Sequence, residues 1–218
     1  MSYCAICGGT GWKLDGTPCG CKAVKGDLYG DITCLDIPET YRGLAFNTIL
    51  LPVKYGDAYK NTMKNYYEQI SSLRWRCRNL LLCAPAQSGK SVFAYSLIQE
   101  LFRRGIDVFP MYDVLEIKRI MLDMEYGKQQ SLKVENPILL YEVPYLFAVI
   151  PPLLNFDTYD TTAMLVARRV RRGGSTILLY SGTWNQLVSN DSRGSLKNMK
   201  GNGSLTTVEV SSWSEKED

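Results

Sequence analysis

The stretch Asn79 to Gly105, NLLLCAPAQSGKSVFAYSLIQELFRRG, constrains the fold of this chain more than any other. It opens on a short apolar run of strand type, Leu80-Leu81-Leu82-Cys83. A compact turn-forming segment follows, then an amphipathic helix with apolar residues at Val92, Phe93, Leu97, Ile98 and Leu101. The joining segment, Ala84-Pro85-Ala86-Gln87-Ser88-Gly89-Lys90-Ser91, has the spacing of a phosphate-binding loop whose first glycine is an alanine. The chemistry fits that spacing. Amides at the helix start face a polyphosphate, Lys90 reaches its terminal phosphates, and Ser91 can hold Mg2+. ATP or ADP is therefore the expected ligand. The alternative is a loop that keeps this shape and has lost its ligand.

The rest of the chain is consistent with one good core and a small appendage, since it has 218 residues and is 45% hydrophobic. No run approaches the ~18 apolar residues of a membrane helix, and the amino terminus lacks a signal-peptide layout, so a cytoplasmic location without membrane attachment is expected. The formal charge of +3 permits a nucleic-acid partner without demanding one. There is no histidine, which excludes Ser/His/Asp and Cys/His nucleophile systems and any histidine-ligated metal.

Cysteine placement marks out an amino-terminal module, residues 1–31. Cys4, Cys7, Cys19 and Cys21 follow the pattern C-x2-C-x11-C-x-C among glycines. Four thiolates so spaced can close a tetrahedral shell around Zn2+, and the segment is too short and glycine-rich to build an apolar core, so metal ligation would supply its folding energy. A full set of cysteines leaves no position for substrate, which makes such a zinc structural. Reduced cysteines in a tail are the alternative. Residues 32–78 form a connector punctuated by Pro38 and Pro52, with a helix expected from Asp57 to about Leu73.

From Asn79 onward the pattern alternates. Asp107 to Tyr112 reads as a second strand, and Asp113 as the cap of the next helix. Pro137 to Glu142 reads as a third strand ending near the phosphates, Ser175 to Tyr180 as a fourth, and Ser204 to Val210 as a fifth. A helix containing Leu165, Val166 and Val170 stops at Gly173-Gly174. Such alternation implies an α/β fold with a largely parallel sheet covered by helices, and ligands at the carboxyl ends of its strands. Between Arg168 and Lys200, seven basic residues stand against the single acid Asp191. Arg193, Lys197 and Lys200 lie among glycine and polar residues, a composition suited to a surface that tracks single-stranded DNA, or to a merely solvated face. The four arginines 168, 169, 171 and 172 lie on a helix and cannot all face one way.

The chain resembles the helicase-loader ATPases of the DnaC/DnaI type and their IstB-like transposition relatives, a branch of the AAA+ proteins. The resemblance rests on the cysteine knuckle, the lead-in IPETYRGLAFNT, the run RNLLLCAPAQSGKS, the strand ILLYE, and STILLYSGT, in that order. It implies an AAA+-type nucleotide-binding domain over residues 79–218, with at most a vestigial lid. It also implies binding of ATP, contact with a replicative DNA helicase and single-stranded DNA, and self-association or assembly on a helicase ring. Compactness and eroded motifs point to a viral protein, which would work in the host cytoplasm. The departures from the family are specific. Glycine is usual where Ala84 and Gln87 stand, and the second acidic motif reads Tyr141-Glu142. The resemblance puts Glu142 where the family polarises the attacking water, and tyrosine cannot replace the magnesium-supporting carboxylate before it. Ser181 or Thr183 would carry the family's polar sensor. The finger arginine falls near Asn198 and Lys200, and a lysine offers a point charge without a fork of donors. These losses imply weak or absent ATP hydrolysis. Two other functions fit the same residues: a DNA-stimulated helper ATPase of transposition, and an interaction protein that binds no nucleotide.

Overall fold

The computed structural model describes residues 35–43, 56–75, 78–126, 138–152, 156–189, 191 and 193–209. The cysteine module, with Cys4, Cys7, Cys19 and Cys21, lies outside them, as do parts of the connector.

Five parallel strands form one sheet: β1 (Asn79–Ala84), β2 (Tyr112–Asp113), β3 (Tyr145–Ile150), β4 (Ser175–Ser181) and β5 (Leu205–Glu209), in the order β2-β3-β4-β1-β5. β1, apolar from Leu80 to Ala84 and flanked by two neighbours, is buried along its whole length. Its side chains alternate between two cores, as strand geometry requires. Leu80 and Leu82 face the side packed by α1 (Gly56–Ser71) and α2 (Lys90–Arg103), together with Leu35 and Ile37 of the connector. Leu81 and Cys83 face the other side, covered by α3 (Val114–Tyr126), α4 (Leu139–Glu142), α5 (Phe156–Arg171), α6 (Trp184–Ser189) and α7 (Ser195–Gly201). The expected parallel sheet covered by helices is thus observed, as is the connector helix, with Tyr59, Met63 and Ile70 buried.

Buried polar groups lock the layers together. Asn79 donates to the Ser204 carbonyl (2.8 Å) and accepts from the Thr176 amide (3.0 Å), tying β1 to chain on both sides of it. Gln99 on α2 donates to the Tyr41 carbonyl and accepts from the Gly43 amide, both at 2.8 Å, so the IPETYRG lead-in is clamped against the core. Asp113 caps α3 as expected, accepting from the amides of Leu115 (2.9 Å) and Glu116 (2.8 Å).

Two strand expectations are corrected. The run Ile138 to Glu142 is not the third strand: residues 139–142 form the short helix α4, and the strand is the next apolar run, Tyr145–Ile150. Periodicity cannot separate a short buried helix from a buried strand. The slot between β2 and β4 accepts one strand, and the six-residue apolar YLFAVI fills it along both faces. The second strand is also shorter than Asp107 to Tyr112. Val108 makes an isolated bridge to Tyr145, while Pro110, which has no N–H for a ladder, interrupts the pairing until Tyr112.

Candidate functional site

β1 ends at Ala84, and the chain turns through Pro85 to Gly89 into the first residue of α2, Lys90. Gln87 (φ 60°) and Gly89 (φ 88°) both take left-handed backbone. That conformation suits glycine, which has no Cβ to clash, and strains glutamine. The first α2 hydrogen bond runs from the Phe93 amide to the Gly89 carbonyl (2.9 Å). The amides before it, of Lys90, Ser91 and Val92, are helix-start donors aimed where a phosphate would sit. Lys90 is buried, with Nζ donating to the carbonyls of Ala84 (2.8 Å) and Pro85 (2.5 Å) and to the Ser88 hydroxyl (3.2 Å). Burial pushes its pKa down to about 8. From the other side, Tyr59 on α1 donates its hydroxyl to the Ser88 carbonyl at 2.9 Å. No local sequence signal marks this brace, because its partner lies 29 residues away.

Ser181, the last residue of β4, pairs in register with Ala84 and is exposed beside the loop, a suitable place for a polar sensor. Thr183 is otherwise engaged. Its hydroxyl accepts from the Gln186 amide (3.2 Å), and Gln186 accepts in return from the Thr183 amide (2.8 Å), a capping box at the start of α6. The sequence T-W-N-Q, with threonine and glutamine three apart, carries the signal of that box. Between Ser181 and Thr183, Gly182 leaves no room for a side chain: a Cβ would lie 2.7 Å from Tyr180.

Glu142 is placed far from this assembly in the topology. It stands on α4, before the amino end of β3, whereas the loop follows the carboxyl end of β1. In a parallel sheet these are opposite edges. The residues that do follow β3 are Pro151 and Pro152, so that strand delivers no carboxylate beside Lys90. Asp160 is committed elsewhere, since it accepts from the Ser195 hydroxyl (2.6 Å) and from Arg193, and the Ser195 bond chiefly holds its pKa below the usual value. Among the described residues no group of three or more acidic or cysteine side chains could hold a metal ion.

The basic residues proposed for DNA are brought onto α7 and the turn before it, with different fates. Arg193 forms an ion pair with Asp160, Lys200 sits 4.5 Å from the centre of the Trp184 ring, and Lys197 is exposed. Asp191, buried, accepts from the Ser195 and Leu196 amides (2.9 Å each) and fixes the helix start. Tyr180 is core, as an aromatic ending an apolar strand should be.

Sheet order, loop and helix together are consistent with a P-loop, AAA+-like α/β fold. No family model matches the sequence, and no curated protein matches it at a significant level. Solved structures do. The crystal structure of DnaI matches with TM-score 0.60 and 15% identity, covering 81% of this chain and 92% of that one. The crystal structure of the DnaC helicase loader matches with TM-score 0.56 and 12% identity, covering 79% and 100%. DnaA from Aquifex aeolicus, solved with AMPPCP bound, matches with TM-score 0.55 and 15% identity, covering 77% of this chain and 50% of its own. At these identities the likeness establishes the fold.

Proposed function

We propose that this chain is an accessory protein of DNA replication, a loader or adaptor that binds ATP at Ala84 to Ser91 and engages a replicative DNA helicase and single-stranded DNA. The observation that carries the reading is the loop: left-handed Gln87 and Gly89, helix-start amides, and buried Lys90 beneath them. Structural likeness to DnaI and DnaC supports the choice of process. ATP hydrolysis is slow or absent in this reading, because Pro151 and Pro152 stand where β3 would have to present a carboxylate. Ser181 is the favoured sensor residue, and Lys197 the favoured DNA contact on α7. The four amino-terminal cysteines hold a structural Zn2+. Among the described residues no helix is long and apolar enough to cross a membrane.

Calorimetric titration of ATP into the purified protein tests the site. Micromolar binding that Lys90→Ala abolishes is the expected result, and heat unchanged by that substitution would remove Lys90 from the phosphates. Co-purification with the replicative helicase of the same replication system tests the partner. A second reading, an interaction protein that binds no nucleotide, draws on Lys90 being satisfied by the carbonyls of its own loop. The same titration separates the two.

A further inference from the structure

We propose that the carboxyl-terminal end of α5 carries a second phosphate-binding site, at the sheet edge opposite the phosphate loop. Arg168, Arg171 and Arg172 would there ligate the phosphate of a small polyphosphate or of a nucleic-acid strand. The four arginines of this segment divide. Arg169 turns inward and is fully buried, donating to the carbonyls of Leu140 (2.5 Å), Val143 (2.8 Å) and Ser175 (2.9 Å). It thereby pins α4, the start of β3 and the start of β4 to one another. The other three are exposed at helix spacings of three and four from Arg168, hence on one side, and with Tyr141 they line an open cavity of about 320 Å³. Arg172 is held over the Tyr141 ring, 5.3 Å from its centre. Among the described residues none of the three has an ion-pair partner. Glu142, the exposed carboxylate in the same turn as Tyr141, pairs with none of them.

Like charges at these spacings repel, and the α5 carbonyl end offsets that repulsion only in part. A concave site with three uncompensated guanidinium forks, one of them oriented by an aromatic face, is matched to phosphate oxygens. α4, which misses the third-strand position, is what gives the site its wall, because Tyr141 is carried on it. The site is independent of the loader reading. It needs neither Lys90 nor a helicase.

The test uses the full-length Lys90→Ala protein, which lacks the charge of the phosphate loop, with and without Arg168→Ala and Arg171→Ala together. Both arginines are exposed, so circular dichroism should be unchanged. Two probes are titrated: inorganic pyrophosphate by calorimetry, and a labelled dT oligonucleotide by fluorescence anisotropy across a salt series. We expect at least one probe to bind the Lys90→Ala protein and to lose about tenfold in affinity on the double change, which is about 1.4 kcal/mol. Loss confined to pyrophosphate identifies a small-phosphate site. Loss on the oligonucleotide, with a salt slope shallower by about 1.4 for two lost phosphate contacts, identifies a strand. The proposal is overturned if Lys90→Ala protein binds neither probe, or if the double change alters neither affinity.

Discussion

At the scale of single residues, the loop is held by two side chains in unusual states. Gln87 sits at φ 60°, where a side chain that branches at Cβ is least tolerated. Gln87→Val is therefore expected to lower stability by about 1–2 kcal/mol, while Gln87→Gly stays within about 1 kcal/mol of the parent. Urea midpoints decide the order, and a well-tolerated valine would contradict the left-handed geometry. Lys90 makes a pH prediction. Burial lowers its pKa from 10.5 to about 8 in the protein without ligand, and a polyphosphate would restore it. Below pH 8 the lysine is charged in both states, so ATP affinity does not depend on its proton. Above pH 8 binding must take up a proton, and affinity falls by up to about tenfold per pH unit. Folding stability has the opposite trend. The cost of burying the charge is fully present below about pH 8 and fades as pH rises toward 10.5, since the unfolded chain then binds more protons. Calorimetry in buffers of different ionisation enthalpy measures the proton uptake directly.

At the scale of elements, the competition between two apolar runs shapes both edges of the sheet. The run ILLYE is displaced by YLFAVI, its residues 139–142 become α4, and the Arg169 guanidinium fastens it to β4 and α5. Arg169→Ala removes donors from three buried carbonyls and leaves a void, so a loss of about 3 kcal/mol or more is expected, read as a fall in unfolding temperature. Stability near that of the parent would mean α4 is held by packing alone. The α1 helix braces the loop through the Tyr59 hydroxyl. Tyr59→Phe should cost about 0.5–1.5 kcal/mol and weaken ATP binding with the fold intact, because the Ser88 carbonyl loses a buried donor. Equal ATP affinity in the two proteins would show that the brace serves only stability.

At the scale of the molecule, the described lead-in, residues 35–43, decides what can be separated from what. Leu35 and Ile37 are buried against the α1 and α2 side of the core, and Gln99 clamps residues 41 and 43. Deleting residues 1–31 should therefore leave the sheet domain folded, whereas deletion through residue 43 should destabilise it severely. Elemental analysis of the whole protein, purified without chelator, should find one Zn2+ that the shorter deletion removes. Finding no zinc in the intact protein would reject the cysteine module as a metal site.

Local chemistry alone determined much of this molecule. The turn from Pro85 to Gly89, the helix after it, the Asp113 cap and the alternation that makes a parallel sheet are all written in neighbouring residues. Backbone preference, capping and helical or strand period act over a few positions and can be read there. Tertiary structure decided the rest. Which of two adjacent apolar runs becomes β3 depends on the slot between β2 and β4, and this choice moves Glu142 to the edge away from Lys90. Which of four neighbouring arginines turns inward depends on three carbonyls from separate segments, Leu140, Val143 and Ser175. Whether Tyr59 packs or braces depends on Ser88, brought beside it from 29 residues away. Such outcomes rest on contacts between distant parts of the chain, and no short-range pattern encodes the partner.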